Sequence, residues 1–152
     1  QVIRYQYKME SISKANSTIT EIDLLDCFEI LKKNKQSYLI DVRTQPEWQF
    51  VGVPDLTSIN KKVIFISWQL YPDMRINNDF ETEILSFKIK KVDTIFLICR
   101  SGKRSSIAAH HLNQLGYRNC FNVSDGFEGV KDINDHRSTL GGWKLKKLPW
   151  KQ

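Results

Sequence analysis

The chain has few cysteines and no long apolar run, and each shortage excludes a class of protein. Cys27, Cys99 and Cys120 are too few and too scattered for a disulfide framework, and none belongs to a Cys-x-x-Cys zinc motif. No stretch approaches the roughly 20 apolar residues that cross a bilayer, and the first 20 residues lack the apolar core of a signal peptide. We therefore expect a cytoplasmic protein with no cofactor, no metal and no membrane partner.

Positive charge predominates, with 23 Lys and Arg against 17 Asp and Glu and a formal net charge of +6. Such a balance favours anionic partners, from small oxyanions to nucleic acid. The lysines are spread along the chain, however, and neither an RNP-like aromatic motif nor a recognition-helix pattern accompanies them. The sequence therefore predicts no nucleic-acid partner.

Short apolar runs alternate with segments of helical periodicity. Four runs are typical of buried strands, at residues 37–42, 62–67, 93–98 and 120–123. Three segments repeat apolar residues at helical spacing, and their expected starts are an N-cap at Thr20, an N-cap at Asn78, and Ser105. In the third helix, which runs to Leu115, Ile107 is expected to point inward. This alternation predicts an α/β domain with a mostly parallel central sheet and helices on both faces. We place the domain at residues 19–152 and a flexible N-terminal extension at residues 1–18.

Cys99 follows the most apolar predicted strand, and ligands of such folds gather at the carboxyl ends of strands. The residues that connect it to the next helix are Arg100, Ser101, Gly102, Lys103 and Arg104, with Ser105 at the predicted helix start. In so short a loop the backbone N–H groups are expected to surround the sulfur, and the helix N-terminus adds positive partial charge. These features favour the thiolate, so we expect Cys99 to be a nucleophile that attacks an anionic substrate. Cys27 and Cys120 are expected to be core residues.

Several motifs resemble those of the rhodanese-like sulfurtransferase family. The stretch CRSGKRSS, between IFLI and AAHHLNQLGY, resembles the family's active-site loop. LIDVRTQPEW resembles its upstream motif, which supplies Asp41, Arg43 and Glu47, and the segments NVSDGFEG and GGWKLKKLPW resemble its closing part. The chain departs from the family in VGVPDL, which lacks the usual histidine and second glycine, and in residues 130–140, which resemble an insertion that covers part of the site or serves a partner.

The resemblance implies a rhodanese-like fold and a sulfur transfer in two steps. Cys99 attacks the outer sulfur of a small anionic donor such as thiosulfate, becomes a persulfide, and passes the sulfur to cyanide or a thiol. A protein could also accept the sulfur.

The resemblance also implies roles for the residues around Cys99. The loop amides from Arg100 to Ser105 hold the persulfide, Arg100 and Lys103 draw in the donor, and Arg104 bridges loop and helix. The residues that support the architecture without taking part in the reaction are Asp41, Arg43 and Glu47. Of these, Arg43 and Glu47 form an ion pair.

Two alternatives remain beside sulfur transfer. Cdc25-type phosphatases and arsenate reductases also place a cysteine and an arginine in one loop, but the phosphatase pattern is Cys-x5-Arg, whereas Cys99 and Arg104 are separated by four residues. The shorter loop encloses a smaller space, which suits one sulfur atom better than a tetrahedral oxyanion. The other alternative is a rhodanese module with a mainly regulatory or sulfur-carrier role.

Overall fold

The computed structural model describes residues 19–152; the predicted N-terminal extension, residues 1–18, lies outside the described residues. The strands are β1 Thr20–Ile22, β2 Ser37–Asp41, β3 Val53–Pro54, β4 Ile64–Phe65, β5 Gln69–Leu70, β6 Arg75–Ile76, β7 Thr94–Ile98, β8 Asn119–Val123 and β9 Trp150–Lys151. The α-helices are α1 Leu24–Lys33, α2 Gln45–Phe50, α3 Phe80–Ser86 and α4 Lys103–Gln114. A 3₁₀ turn covers Thr57–Ile59.

Five strands form a parallel sheet in the order β1-β8-β7-β2-β4. Central β7 is apolar and buried from Ile95 to Ile98 because each of its faces is covered. On one face Ile95 and Leu97 share a core cluster with Leu112 of α4, and on the other Phe96 and Ile98 share a cluster with α1. The predicted parallel sheet with helices on both faces is confirmed.

The start of the first helix differs from the prediction. Thr20 is not an N-cap but begins β1, which pairs with β8 through Phe121 to Val123. The helix begins at Leu24, and the Asp23 carboxylate caps it by accepting from the Asp26 amide at 2.8 Å. Residues 20–22 gain hydrogen bonds to β8 when they are extended rather than helical. Asp23 is also a strong N-cap, so the helix begins after it.

Helix α4 begins two residues before the predicted start, and Ile107 does not face the core. Its side chain is 55% exposed, whereas Ser105, Ala108, Ala109 and Leu112 are buried. These four positions follow the i, i+3, i+4, i+7 spacing of one helix face, and Ile107 lies about 100° of rotation from Ala108.

The C-terminal segment folds back onto the α1 side of the sheet. Trp143 is fully buried, and its indole N–H donates to the Pro149 carbonyl at 2.7 Å. Strand β9 then pairs antiparallel with β3. The Trp143 amide also donates to the Gly126 carbonyl at 3.0 Å, which connects this segment to the turn beside Cys99. Within residues 19–152 no helix has both the length and the apolar character needed to span a bilayer.

Candidate active site

Cys99 lies directly after β7, at the carboxyl end of the sheet, and only 1% of it is exposed. Its Sγ accepts hydrogen bonds from the Gly102 amide and the Ser105 hydroxyl, each at 3.1 Å. Gly102 is also the N-cap of α4, a helix of 12 residues, so the sulfur sits at a helix N-terminus with its positive partial charge. The arrangement stabilises negative charge on the sulfur.

The turn at residues 126–129 is hydrogen-bonded to the backbone of the Cys99 loop. The Phe127 amide donates to the Cys99 carbonyl at 2.8 Å, and the next two amides donate to the Arg100 carbonyl at 3.0 and 3.1 Å. Because N–H and C=O point in opposite directions across a trans peptide, the amides of Arg100 and Ser101 face away from this turn. Of the predicted cradle of amides, only that of Gly102 is hydrogen-bonded to the sulfur itself.

Two glycines allow the loop and the turn to approach this closely. A Cβ on Gly102, whose φ is +107°, would lie 2.5 Å from the Ser124 carbonyl oxygen. A Cβ on Gly126, whose φ is +68°, would lie 2.5 Å from the Arg100 carbonyl oxygen. Only glycine fits both the positive φ and the contact. Gly102 was predicted, whereas Gly126 was missed, although a glycine soon after a strand is a turn signal.

A buried polar network extends from the sulfur to β1. Ser105 Oγ lies 2.5 Å from Asn122 Oδ1, and the Asn122 amide group donates to the Gly102 carbonyl at 3.0 Å and to Glu21 at 2.9 Å. A hydroxyl has one proton, so Ser105 can donate either to Sγ or to Asn122 at any moment. Asn122 and Glu21 could not be predicted as part of the site, because only the β1–β8 pairing brings them to the loop.

The predicted ion pair between Arg43 and Glu47 is wrong. Arg43 and Asp41, two residues apart on extended backbone, project to the same side and pair at 2.8 Å, with both side chains fully buried. The Arg43 guanidinium also donates to the Gly52 carbonyl at 2.8 Å and lies 4.3 Å from the centre of the Phe127 ring. The Asp41–Arg43 pair therefore lies beneath the turn that holds the Cys99 loop.

Glu47 instead pairs with Arg104 of α4. The guanidinium donates to both carboxylate oxygens, at 2.6 and 2.9 Å, which is a strong bidentate arrangement. Burial acts to raise the pKa of Glu47, but the hydrogen bonds and charge of Arg104, together with Thr44, lower it to about 2. Arg104 thus joins α4 to α2 rather than standing free in the pocket.

This ion pair predicts a pH-dependent stability difference between wild type and Glu47→Gln. A carboxyl whose pKa is lower in the folded than in the unfolded state stabilises the fold at pH values above its unfolded-state pKa. That stabilisation is lost as the pH falls toward the folded-state pKa of about 2. At pH 7 we expect the variant to lose about 1–2 kcal/mol of unfolding free energy, because partial solvent exposure weakens the pair. Urea unfolding at about pH 7, 5 and 3 should show this deficit shrinking at pH 3, where the Glu47 carboxyl is protonated in the unfolded chain but still ionised in the folded protein.

The matched control is Glu29→Gln. Glu29 and Lys33 form an exposed pair at 3.7 Å, so this variant should change little at any of these pH values. A Glu47→Gln deficit that stays constant from neutral to acid pH would contradict the assignment of the pair.

A cavity of about 670 Å³ opens above Cys99, between the loop, the start of α2 and the β5–β6 hairpin. Arg100 and Lys103 line it and are exposed, and Ser101 and Arg104 also contribute to its wall. This volume would admit phosphate as readily as a sulfur anion, so size alone does not separate the two chemistries. Residues 130–140, all within the described part, do not line the cavity, which corrects the expectation that they cover part of the site.

The other two cysteines are buried and lie outside this cavity. Burial and the charge of Asp23 raise the pKa of the Cys27 thiol, and burial raises that of Cys120 to about 12. Both therefore remain protonated near neutral pH, as expected of core residues. Within residues 19–152 no group of three or more His, Cys, Asp or Glu side chains is placed to hold a metal ion.

A comparison with known families identifies the chain. Residues 24–152 match the family model described as the STR4 middle domain. The chain belongs to this rhodanese-like family. The rhodanese-like domain therefore accounts for nearly all of the described residues, and the resemblance seen in the sequence is confirmed.

Relatives of this rhodanese-like domain include solved and sequenced proteins. The crystal structure of Rv0390 from M. tuberculosis has a TM-score of 0.78 and 39% identity, covering 88% of this chain and 97% of that one. The uncharacterized protein RC0915 of Rickettsia conorii is 47% identical over 124 residues, 81% of this chain and 89% of that protein. The adenylyltransferase and sulfurtransferase uba4 of Ogataea parapolymorpha is 26% identical over 113 residues, which span 25% of that protein. At the level of the family, the fold supports a function of the sulfurtransferase type.

Proposed function

We propose that the protein transfers sulfane sulfur from thiosulfate or a related donor to a thiol or cyanide, through a persulfide on Cys99. The observation that carries this proposal is the environment of Sγ. The sulfur accepts from the Gly102 amide and the Ser105 hydroxyl at the N-terminus of α4, beneath a cavity with two exposed cations. Such a sulfur is suited to act as a nucleophile toward an anion.

In the first step the thiolate attacks the outer sulfur of thiosulfate. A sulfur–sulfur bond forms to Cys99, the bond inside thiosulfate breaks, and sulfite leaves with the electron pair. Arg100 and Lys103 are placed to offset the charge of the donor as it meets a negative sulfur. The helix N-terminus then stabilises the charge of the persulfide.

In the second step cyanide or a thiolate attacks the outer sulfur of the persulfide. Thiocyanate or a new persulfide leaves, and the Cys99 thiolate returns with the electron pair. Asp41 and Arg43 do not line the cavity, and Glu47, which does, is paired with Arg104, so in this proposal none of the three takes part in the transfer. They hold the turn at residues 126–129 and the start of α4 in place. A cytoplasmic location and a protein acceptor stay predictions.

Phosphate or arsenate chemistry is the rival function. In an oxyanion-binding loop the arginine after the cysteine donates to the ligand, but the two oxygens of Glu47 already take two of the five N–H donors of Arg104. The four residues between Cys99 and Arg104 also make a shorter loop than the Cys-x5-Arg pattern. Both observations favour sulfur transfer.

Intact-mass measurement after incubation with thiosulfate tests the proposal. We expect a gain of one sulfur, about 32 Da, that disappears on addition of cyanide as thiocyanate forms. Hydrolysis of p-nitrophenyl phosphate should stay at the background rate. An unchanged mass with sustained phosphatase turnover would contradict the proposal, and a stable persulfide that no acceptor discharges would instead favour a carrier role.

A further inference from the structure

Asn122 is a buried side chain whose orientation is fixed by the groups around it. It is 3% exposed and lies on β8, where Glu21 of β1 is its partner in register. Its Nδ2 group donates to the Gly102 carbonyl at 3.0 Å and to the Glu21 carboxylate at 2.9 Å. Reversing the amide would place Oδ1 against these two acceptors, so Oδ1 stays on the side of Ser105.

The fixed Oδ1 of Asn122 determines where the Ser105 hydroxyl points. Oδ1 and Ser105 Oγ lie 2.5 Å apart, which is the distance of a short O–H···O hydrogen bond. Because Oδ1 can only accept, the single hydroxyl proton lies between the two oxygens. The lone pairs of Oγ then face Cys99 Sγ at 3.1 Å, and in this orientation Oγ accepts from a thiol S–H.

Ionisation of Cys99 therefore requires the Ser105 hydroxyl to turn. A thiolate has no proton to donate, so the hydroxyl must redirect its own proton to Sγ. Oγ and the Asn122 Oδ1 are then two buried acceptors with no proton between them, which costs free energy. This network favours the thiol, whereas the Gly102 amide and the helix N-terminus favour the thiolate.

We propose that Asn122 is a positioning residue that directs the Ser105 hydroxyl away from Cys99 Sγ and thereby favours the thiol over the thiolate. Glu21 serves this role by fixing the orientation of the Asn122 side chain. The opposing effect suits a sulfur that must both attack and leave, since a strongly stabilised thiolate attacks slowly and a weakly stabilised one leaves slowly. This inference rests on the proposed function, because it names a residue that adjusts the nucleophile of the same site.

Asn122→Leu removes the acceptor and keeps a side chain of similar size. Ser105 then donates to Sγ without losing another partner, so the thiolate forms more easily. We expect the midpoint of the pH–rate profile for alkylation of Cys99 by iodoacetamide to fall by about one pH unit. The plateau rate in alkali should fall about threefold, because the better stabilised thiolate is a weaker nucleophile. The tryptic peptide of residues 92–100 reports alkylation of Cys99 alone.

The charged and titratable side chains around the Cys99 loop are the same in wild type and Asn122→Leu. The cations are Arg100, Lys103 and Arg104, the acidic groups are Asp41 of β2, Glu47 of α2, Glu128 of the turn and Glu21 of β1, and the β5–β6 hairpin adds Tyr71. A changed profile in this variant therefore reports changed hydrogen bonds and not a changed charge.

Ser105→Ala separates an effect through the hydroxyl from a displacement of the loop. Asn122 also donates to the Gly102 carbonyl, so its loss could move the loop without involving the hydroxyl. In Ser105→Ala there is no hydroxyl to redirect, and adding Asn122→Leu should leave the midpoint where Ser105→Ala alone places it. An equal fall of the midpoint with and without the hydroxyl would overturn the proposal.

Glu21→Leu and Glu21→Gln test the orientation of Asn122 through an exposed residue. Leu removes one of the two acceptors, so the amide can turn Nδ2 toward Ser105 when the sulfur ionises, and we expect a midpoint about half a pH unit below wild type. Gln keeps an acceptor oxygen without the charge and should behave as wild type. Equal midpoints for the two variants would overturn the role of Glu21.

Asn119→Leu is the matched control, because Asn119 begins the same strand and its side chain donates to the Val92 carbonyl at 2.8 Å, away from the loop. It should leave the profile unchanged. A wild-type midpoint and plateau in Asn122→Leu would overturn the inference. Alkylation needs no sulfur donor, so that result leaves sulfur transfer intact, whereas a wild type that gains no sulfur from thiosulfate would overturn the proposed function.

Discussion

Replacing Cys99 by serine is expected to reduce sulfur transfer from thiosulfate to cyanide by at least about 1,000-fold, to the uncatalysed rate. A hydroxyl at neutral pH neither ionises appreciably nor attacks sulfur as a thiolate does. The substitution is nearly isosteric, and the Gly102 amide and Ser105 hydroxyl can donate to an oxygen as well as to a sulfur. The variant should therefore fold, and thiocyanate formation measures the loss.

Cys120→Ala is the matched control for this prediction. Cys120 is buried near the other end of α4, where its thiol lies 3.5 Å from the Tyr117 carbonyl oxygen. Its loss should lower stability but leave the turnover of the folded protein nearly unchanged. If Cys99→Ser keeps more than about a tenth of wild-type turnover, the nucleophile is a different group.

The second large effect is expected on stability, from Arg43→Met. Asp41 and Arg43 are both 0% exposed, so the variant leaves a buried carboxylate without its counter-charge. Breaking a buried pair in this way costs about 3–5 kcal/mol, and the lost contact with the Phe127 ring adds to it. Urea unfolding should show a midpoint shifted far below that of wild type.

Two further variants distinguish the cost of leaving a buried charge unpaired from the cost of losing an arginine side chain. Arg75 pairs with Asp73 on the surface at 3.4 Å, and Arg75→Met should cost less than about 1 kcal/mol. The double variant Asp41→Asn/Arg43→Met removes the unpaired charge, so it should recover part of the stability that Arg43→Met loses. Equal losses for Arg43→Met and Arg75→Met would contradict this account.

The sheet and the Cys99 loop could be predicted because their signals are local in the sequence. Strand β7, the loop and α4 follow one another without interruption, so the apolar run, Gly102 and the helical spacing place Cys99 at a strand end from neighbouring residues alone. Strand β1 could not be predicted this way. Residues 20–22 form a strand only because they pair with the edge of β8, which lies about 100 residues later in the chain.

The errors at the site arose where partners lie far apart in sequence. Glu47 is four residues from Arg43 but 57 residues from Arg104, and only the fold shows which guanidinium it meets. Thr44 is the N-cap of α2 and forms a capping box with Glu47, and this local signal is present in the sequence. Ile107 was assigned inward because it is apolar, yet it lies on the cavity wall.

The central claim is that Cys99 alone carries the sulfur, and peptide mass spectrometry tests this most directly. Trypsin would place the three cysteines on separate peptides, residues 15–32, 92–100 and 119–131. After incubation with thiosulfate and alkylation, the account predicts an added sulfur of about 32 Da on peptide 92–100 only, and its loss when cyanide precedes alkylation. An added sulfur on either of the other peptides, or none on peptide 92–100, would contradict it.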